Sequence, residues 1–246
     1  MAKDDDGVLL SLVIPAYNEE KRLCSSLEKV LSHLQTHYRS FEVVVVDDGS
    51  TDQTAELVEG YGARCREIRL VRHPGNLGKG RAVHTGILQA RGDYVIFSDA
   101  DLSTPIETTN EFMLHLSNGS DVVVGNRRMR ESRLNRRQPL IRELLGRVFT
   151  RLTRLLLRSP ISDQTCGFKG FKRFAAIETF SRQRVFDWSF DAEILYIASH
   201  RGLRVRQVPV TWSDAPGSKV NVLSACIFSF IGLFKVWLNG LAGRYD

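Results

Sequence analysis

The chain has 246 residues, 43% apolar and 25% charged, long enough to bury a core without disulfide or metal staples. That balance excludes a disordered tail, a collagen-like repeat and a multi-span membrane protein. The net charge of +6 is local, because residues 127–158 carry eleven arginines against Glu131 and Glu143, a sum of +9, which leaves −3 for the rest.

Residues 8–14 predict a strand that Pro15 stops. Residues 19–37 follow a helical period, with Leu23, Leu27, Val30, Leu31 and Leu34 on one face. The run 41–46 is almost wholly apolar, as expected of a strand covered on both faces, and ends in Asp47-Asp48-Gly49-Ser50. A helix from about residue 52, a strand over 68–71, a helix over 78–91 and a strand over 94–97 come next. Thr104-Pro105-Ile106-Glu107 has the form of a capping box with proline at the first helical position, which predicts a helix start there. Residues 122–124 are a fifth strand. This alternation is that of an α/β fold, a mostly parallel sheet with helices on both faces. Further on, 140–158 is helical and basic, 191–201 helical, 205–212 strand-like, and 222–238 apolar apart from small polar residues and Lys235. No internal repeat or low-complexity linker interrupts the chain. One domain over 1–221 with an apolar segment over 222–246 is the expected organisation. MAKDDDG lacks the basic start of a signal peptide. The four cysteines form no CxxC pair, which suits a reducing compartment.

In an open parallel sheet, ligands sit outside the carboxyl ends of the strands. Polar clusters fall at those ends: Ala16-Tyr17-Asn18-Glu19, Asp47-Asp48, and Ser98-Asp99-Ala100-Asp101. Each alone reads equally as a helix cap or turn, but three acidic strand ends at one edge repel one another unless a cation or hydrogen-bonding ligand offsets them. Asp99 and Asp101, one residue apart, can both reach one hard divalent ion, with an Asx-turn as the competing reading. A phosphate loop of the GxxxxGK[ST] form is excluded by His73 and Gly80, and a GxGxxG fingerprint by Pro15-Ala16-Tyr17. Gly75-Asn76-Leu77-Gly78-Lys79-Gly80 remains either a substrate-facing loop or a glycine turn. No nucleophile-base constellation stands out, and the six histidines are scattered.

Ile14-Pro15-Ala16-Tyr17-Asn18-Glu19, the DDGSTD at 47–52, the GNLGKG at 75–80 and the DAD at 99–101 resemble the family 2 nucleotide-sugar glycosyltransferases of GT-A fold, a Rossmann-like type. Later runs are similar to the polyprenyl-phosphate hexosyltransferases, most to the dolichyl-phosphate β-glucosyltransferase branch. They are Gly125-Asn126-Arg127, the RELLGR at 142–147, the SDQTCGFK at 162–169, Phe190-Asp191-Ala192-Glu193, and Trp212 with the PGSK at 216–219. The resemblance implies that Pro15, Tyr17, Glu19 and Asp48 meet the base and ribose, with Lys79 nearby. It implies that Asp99 and Asp101 hold Mg²⁺ or Mn²⁺ against the diphosphate, so that Asp99 also counts among the nucleotide contacts and Asp101 among the catalytic residues. Arg127 and Arg147 are implied as phosphate-binding and catalytic, Asp163, Asp191 and Glu193 as acidic positions near the acceptor, with Asp163 catalytic, and Lys219 as closing over the site. Mannosyl relatives often carry Gln two residues after the DxD, where this chain has Ser103.

Arg147, Arg151, Arg154 and Arg158 share one face of the 140–158 pattern, and Ile141, Leu144, Leu145, Val148, Leu152 and Leu155 the other. Such a helix either lies in an anionic membrane interface or packs on a core with a solvated basic face. The 222–238 segment is short for a span of ~20 residues and reads as an interfacial helix, with Trp237 at headgroup level, or as a core helix. The expected function is inverting transfer of a hexose, glucose from UDP-glucose, to a polyprenyl or dolichyl phosphate. The protein would be peripheral, on the cytoplasmic face of a membrane, with no nucleic-acid partner. Open alternatives are GDP-mannose as donor, a soluble hydroxyl acceptor served by a carboxylate base such as Asp163 or Asp191, and a non-enzymatic basic membrane- or RNA-binding module. Oligomeric state is open.

Overall fold

The computed structural model describes residues 7–136, 140–214 and 222–246. In chain order the elements are β1 (Leu10–Ala16), α1 (Glu20–His37), β2 (Phe41–Asp47), α2 (Thr54–Gly62), β3 (Ile68–Arg72), α3 (Lys79–Gln89), β4 (Tyr94–Ser98), α4 (Thr108–Ser117), β5 (Val122–Asn126), β6 (Arg133–Arg136), α5 (Leu140–Leu156), β7 (Phe168–Lys172), α6 (Arg173–Phe180), α7 (Phe190–His200), β8 (Val205–Pro209), β9 (Thr211–Ser213) and α8 (Val222–Leu241).

Seven strands form one sheet in the order β3-β2-β1-β4-β7-β5-β8, and β6 pairs with β9 in a small second sheet. All neighbours in the large sheet are parallel except β7, which runs antiparallel between β4 and β5. β2 is buried at every position, as its unbroken apolar run requires of a strand covered on both faces. Leu23, Leu27, Val30 and Leu34 of α1 pack with Phe112 of α4 on one face of the sheet. Ala82, Val83 and Ile87 of α3 pack with Ala175 and Phe180 of α6 and Ile194 of α7 on the other. A third cluster joins Phe149 and Leu157 to Ala192 and Ile197 of α7 and to Leu233 and Val236 of α8.

Two expectations are revised, and a reading left open is answered in part. Helix α4 begins at Thr108, not at the Thr104 box, because residues 105–110 first make a run of i to i+3 bonds (Thr108 N–H to Pro105 O, 3.1 Å; Thr109 N–H to Ile106 O, 2.9 Å). The strand-like stretch at 205–212 is two strands that serve different sheets, parting around Val210. The segment from 222 packs on α5 and α7 through the third cluster while leaving its outer face bare.

Candidate active site

The order β2-β1-β4 places the sheet's switch point between β1 and β4, where connections leave in opposite directions and a crevice opens at the strand ends. The turn after β1 holds Tyr17, exposed, and Asn18 at φ +54°, a left-handed conformation that asparagine tolerates. The turn after β4 holds Asp99 and Asp101, both partly exposed, followed by Leu102 at φ +48°. A leucine held there costs on the order of 1 kcal/mol, so the turn carries strain next to the two carboxylates.

Asp99 Oδ1 is ion-paired with the Lys79 ammonium from the start of α3. Asp101 Oδ1 accepts from Ser103 N–H (2.9 Å), while its Oδ2 lies 3.9 Å from Arg22 Nη1. Burial acts to lower the Lys79 pKa, but Asp99, Asp191 and Asp101 outweigh it and hold the ammonium above its usual range. Among the described residues no cluster of three or more His, Cys, Asp or Glu is placed to hold a metal. The donor set is therefore two carboxylates, each with one oxygen that takes no hydrogen bond among the described residues. It suits a hard cation that keeps phosphate and water in its other positions, and a lysine already shows the site's demand for positive charge.

Asp48 is almost fully buried and engaged. Its carboxylate accepts from Leu77 N–H (3.0 Å), Gly78 N–H (2.8 Å) and His73 Nδ1 (2.8 Å), and His73 Nε2 meets Thr85 Oγ1 at 3.0 Å. A carboxylate only accepts, so His73 carries its proton on Nδ1. Asp48 thereby fixes the 75–78 loop that leads into Lys79. Gly49, at φ +72°, sits so close to Gly75 that a Cβ would overlap its backbone, so the DDGS and GNLGKG turns are one unit. Pro15 is half-buried at the end of β1. Glu19 pairs with Arg22, and its N–H donates to Thr54 Oγ1 (2.8 Å).

Strand β7 explains how a distant segment reaches the DxD. Its register sets Phe168 opposite Ser98, so residues 163–167 arrive beside Asp99. Gly167 lies against the Asp99 carboxylate so closely that any Cβ would overlap it. Asp163, fully buried, takes a two-pronged bond from Arg127 (Nε to Oδ2, 2.7 Å; Nη2 to Oδ1, 2.8 Å) and accepts from Arg127 N–H at 2.9 Å. Arg127 Nη2 also donates to Thr165 Oγ1 (2.9 Å), and the guanidinium lies 5.4 Å from the Trp212 ring centroid. Burial alone would raise the Asp163 pKa, but the Arg127 charge and hydrogen bonds bring it down to about 2. Burial would lower the Arg127 pKa, and Asp163 raises it instead.

Asp191, in the first turn of α7, receives Lys169 Nζ at 2.5 Å, and the same ammonium donates to Cys166 O at 2.6 Å. Burial pushes the Asp191 carboxyl up, opposed by Lys169 and Lys79. Glu193, two residues on, is turned by about 200° around the helix axis. It faces Arg184 N–H (3.0 Å), Val185 N–H (2.8 Å) and the Tyr245 hydroxyl (2.6 Å), a set separate from the Asp99 cluster. Burial pushes its carboxyl up to about 7. Arg147 is exposed and paired with Glu143 at 2.5 Å. Lys219 lies outside the described residues. The crevice thus gathers Asp99, Asp101, Lys79, Asp191, Arg127 and Asp163, and Asp48 through its loop. Lys169, His73 and Gly167 join them without having been singled out from sequence.

Outside the crevice, α5 buries Phe149, Thr150 and Thr153, Leu157 just past its end is buried too, and Leu144 (61%), Val148 and Leu155 (74%) are exposed. Arg147, Arg151, Arg154 and Arg158 are exposed too, so the apolar stripe that the sequence marks is not the buried face. Helix α8 buries Leu233 and Val236 and exposes Phe228, Ile231, Phe234, Leu238 and Leu241. Trp237 is partly buried and packs on the third cluster, while Trp188 is exposed. No helix of the described residues is long and apolar enough to cross a membrane.

Residues 11–180 match the family model described as glycosyl transferase family 2, about two thirds of the chain. The chain belongs to glycosyltransferase family 2. A dolichyl-phosphate β-glucosyltransferase of Trichomonas vaginalis is 38% identical over 243 residues, 95% of this chain and 74% of that one. The human dolichyl-phosphate β-glucosyltransferase is 36% identical over 227 residues, 86% of this chain and 69% of that one. Among solved structures, glucosyl-3-phosphoglycerate synthase from Mycobacterium tuberculosis, in complex with Mn²⁺, UDP and glucosyl-3-phosphoglycerate, superposes with a TM-score of 0.70 at 21% identity, covering 94% of this chain and 80% of that chain. The fold of this glycosyltransferase is accordingly of GT-A type, and the chain is an enzyme of sugar transfer, which removes the non-enzymatic basic module.

Proposed function

We propose that this glycosyltransferase moves glucose from UDP-glucose to a dolichyl or other polyprenyl phosphate, with inversion, at a membrane surface. The observation that carries this reading is the state of the site's carboxylates. Asp99 is paired with Lys79, Asp163 with Arg127 and Asp191 with Lys169. An alcohol acceptor needs a base to remove its proton; Asp163, locked to Arg127 with a pKa of about 2, is a poor one, and Asp191 is held by the Lys169 ammonium at 2.5 Å. A phosphate monoester needs none, because its second pKa near 6 leaves it ionised at neutral pH. The kinship with dolichyl-phosphate β-glucosyltransferases supports the same acceptor and sugar.

Asp99 and Asp101 would hold Mg²⁺ or Mn²⁺, whose charge offsets that developing on the departing diphosphate. Lys79, kept charged by its acidic neighbours, lies where it can bind that diphosphate as well. Asp48 acts by fixing the 75–78 loop, and Tyr17 is free to stack beside a base. Arg127 holds the 163–165 segment in place with two of its donors. Arg147, exposed and paired with Glu143, is the cation that would leave that pair to orient the acceptor phosphate. The bare apolar rows of α5 and α8, beside arginines with no ion pair among the described residues, support peripheral attachment to the membrane that holds the acceptor.

The test is product formation with purified enzyme, a short polyprenyl phosphate or the matching polyprenol, and UDP-glucose, UDP-N-acetylglucosamine or GDP-mannose. Transfer is expected from UDP-glucose to the phosphate alone. Faster transfer from GDP-mannose overturns the donor, and equal transfer to the alcohol overturns the acceptor.

A further inference from the structure

At the end of α8 a surface depression of about 580 Å³ is lined by Arg184, Lys235, Arg244, Leu238, Asn239 and Ala242, with Val185 at its base. It has three cations and no acid in its lining. Carboxylates of the neighbouring segments are committed elsewhere: Glu193 to Tyr245 and the 184–185 backbone, Asp187 to Ser189, and Asp246 to His200 at 2.7 Å. Lys235 is exposed and makes no ion pair among the described residues.

The fold builds this convergence. Residues 242–244 curl back on the helix end (Ala242 N–H to Leu238 O, 3.0 Å; Arg244 N–H to Asn239 O, 3.0 Å), with Gly243 at φ +64°. Tyr245 is buried and donates to Glu193 (2.6 Å). This anchor sets Arg244 beside Asn239 (Nη1 to Oδ1, 3.0 Å), while Arg184 Nε donates to the Arg244 carbonyl (3.3 Å). Three cations lining one depression with no acid among them offer complementary charge to an anion.

Helical spacing fixes what lies next to the depression. With Leu233 and Val236 inward, Ile231, Phe234, Leu238 and Leu241 run along the outward face, and Lys235 and Ala242 lie on one edge of that row. Leu238 belongs to both the row and the depression. A ligand seated here meets cations on one side and an apolar row on the other. Charge and apolarity side by side are the complement of an anionic lipid in a bilayer surface.

We propose that the depression at the end of α8 is a binding site for the phosphate-bearing headgroup of an anionic phospholipid, separate from the donor crevice, and that it sets how the enzyme sits on the bilayer. The inference rests on the membrane-surface reading above. The experiment compares the intact chain, the triple variant Arg184→Gln/Lys235→Gln/Arg244→Gln, and the control Arg151→Gln/Arg154→Gln/Arg158→Gln. Each is tested on phosphatidylcholine vesicles with and without phosphatidylserine, and by titration with monomeric short-chain phosphatidylserine. Melting temperature and UDP affinity serve as checks on folding. The intact chain is expected to pellet with phosphatidylserine vesicles, and the depression variant to bind them about a hundred-fold more weakly, at about 1 kcal/mol per basic side chain and 1.4 kcal/mol per factor of ten. Monomeric lipid is expected to saturate one site on the intact chain and on the α5 control, and to leave the depression variant unchanged. An intact chain that stays in solution with every vesicle overturns the membrane reading. An intact chain that pellets while monomeric lipid fails to bind, or binds the depression variant equally well, overturns the headgroup site alone.

Discussion

Asp163→Asn separates a clamp from a base. The carboxylate is fully buried, held by two guanidinium bonds and one backbone bond from Arg127. Its pKa of about 2 in the fold stands below the ordinary 3.8, so the ionised group stabilises the fold above pH 3.8, and that share is lost as pH falls through about 2. At 1.36 kcal/mol per unit the share is about 2 to 3 kcal/mol at neutral pH. Removing one partner of a buried pair also strands the other charge, which brings the expected loss to about 3 to 5 kcal/mol. At roughly 2 to 4 °C per kcal/mol for a chain of this size, the melting temperature should fall by roughly 6 to 20 °C at pH 7. The gap between the two proteins should narrow by roughly 1 kcal/mol at pH 3, where part of the ionic contribution is already gone. Turnover per folded molecule, measured well below the new melting point with UDP-glucose and a polyprenyl phosphate, should stay within about tenfold, short of the 10²–10⁴ that loss of a general base costs. A variant that melts as the native protein does while losing turnover a thousand-fold would show that Asp163 acts on the reactants, and the clamp argument would fall.

Asp101→Asn should leave the melting temperature nearly unchanged, since the group is partly exposed, and cut turnover by about a hundred-fold or more; near-native turnover with Mn²⁺ present would remove the metal assignment. Gly167→Ala places a methyl group on the Asp99 carboxylate, so UDP binding in the presence of Mn²⁺ should weaken at least tenfold, about 1.4 kcal/mol; unchanged binding by calorimetry would show that Asp99 can move without cost. Glu193, whose fold pKa of about 7 stands above the ordinary 4.5, is held protonated by burial, so its contribution to stability is complete below pH 4.5 and lost as pH rises through about 7, about 3 kcal/mol in all. Glu193→Gln should flatten the fall in melting temperature between pH 5 and pH 8, and an unaltered slope would refute the assignment.

The first half of the fold was legible because period alone decides it. The β1 to β4 runs are β-branched and continuous, and the helices between them keep one apolar face. β7 was not legible. It is five residues, Phe-Lys-Gly-Phe-Lys, with two lysines and a glycine, and only its insertion between β4 and β5 makes it a strand. β6 has two arginines among its four residues and gains its identity from β9. Where the carboxylates sit could be read, because strand ends of a parallel sheet collect polar turns; what each is bonded to could not. Arg127 and Asp163 are 36 residues apart and Lys169 and Asp191 are 22 apart, joined by the very strand that the pattern hides. Three carboxylates that look alike in sequence therefore divide into a cation-binding pair member, a clamp and a buried partner of lysine.

The same pairing explains where the chain's basic surplus becomes available. Arg127 is consumed by Asp163, Arg128 donates to Gly146 O at 3.0 Å, and Arg147 lies on Glu143. Arg151, Arg154 and Arg158 are exposed and have no ion pair among the described residues. The early arginines build and edge the crevice, and the later ones remain as a surface field. What shares α5 with Arg151 and Arg154, and leads to Arg158 just past its end, decides what that field meets. Leu144, Val148 and Leu155 stand exposed beside them, and α8 adds Phe228, Ile231, Phe234, Leu238 and Leu241. A nucleic acid would neutralise the arginines and leave the aliphatic members, Leu144, Val148, Leu155, Ile231, Leu238 and Leu241, in water, since aliphatic side chains offer no stacking platform to bases. An anionic bilayer covers both, taking the apolar rows below the headgroups and the guanidinium groups among the phosphates. On the proposed membrane reading the two halves of the basic segment serve one reaction, the first ordering the crevice and the second bringing it to the surface that holds the lipid-bound phosphate.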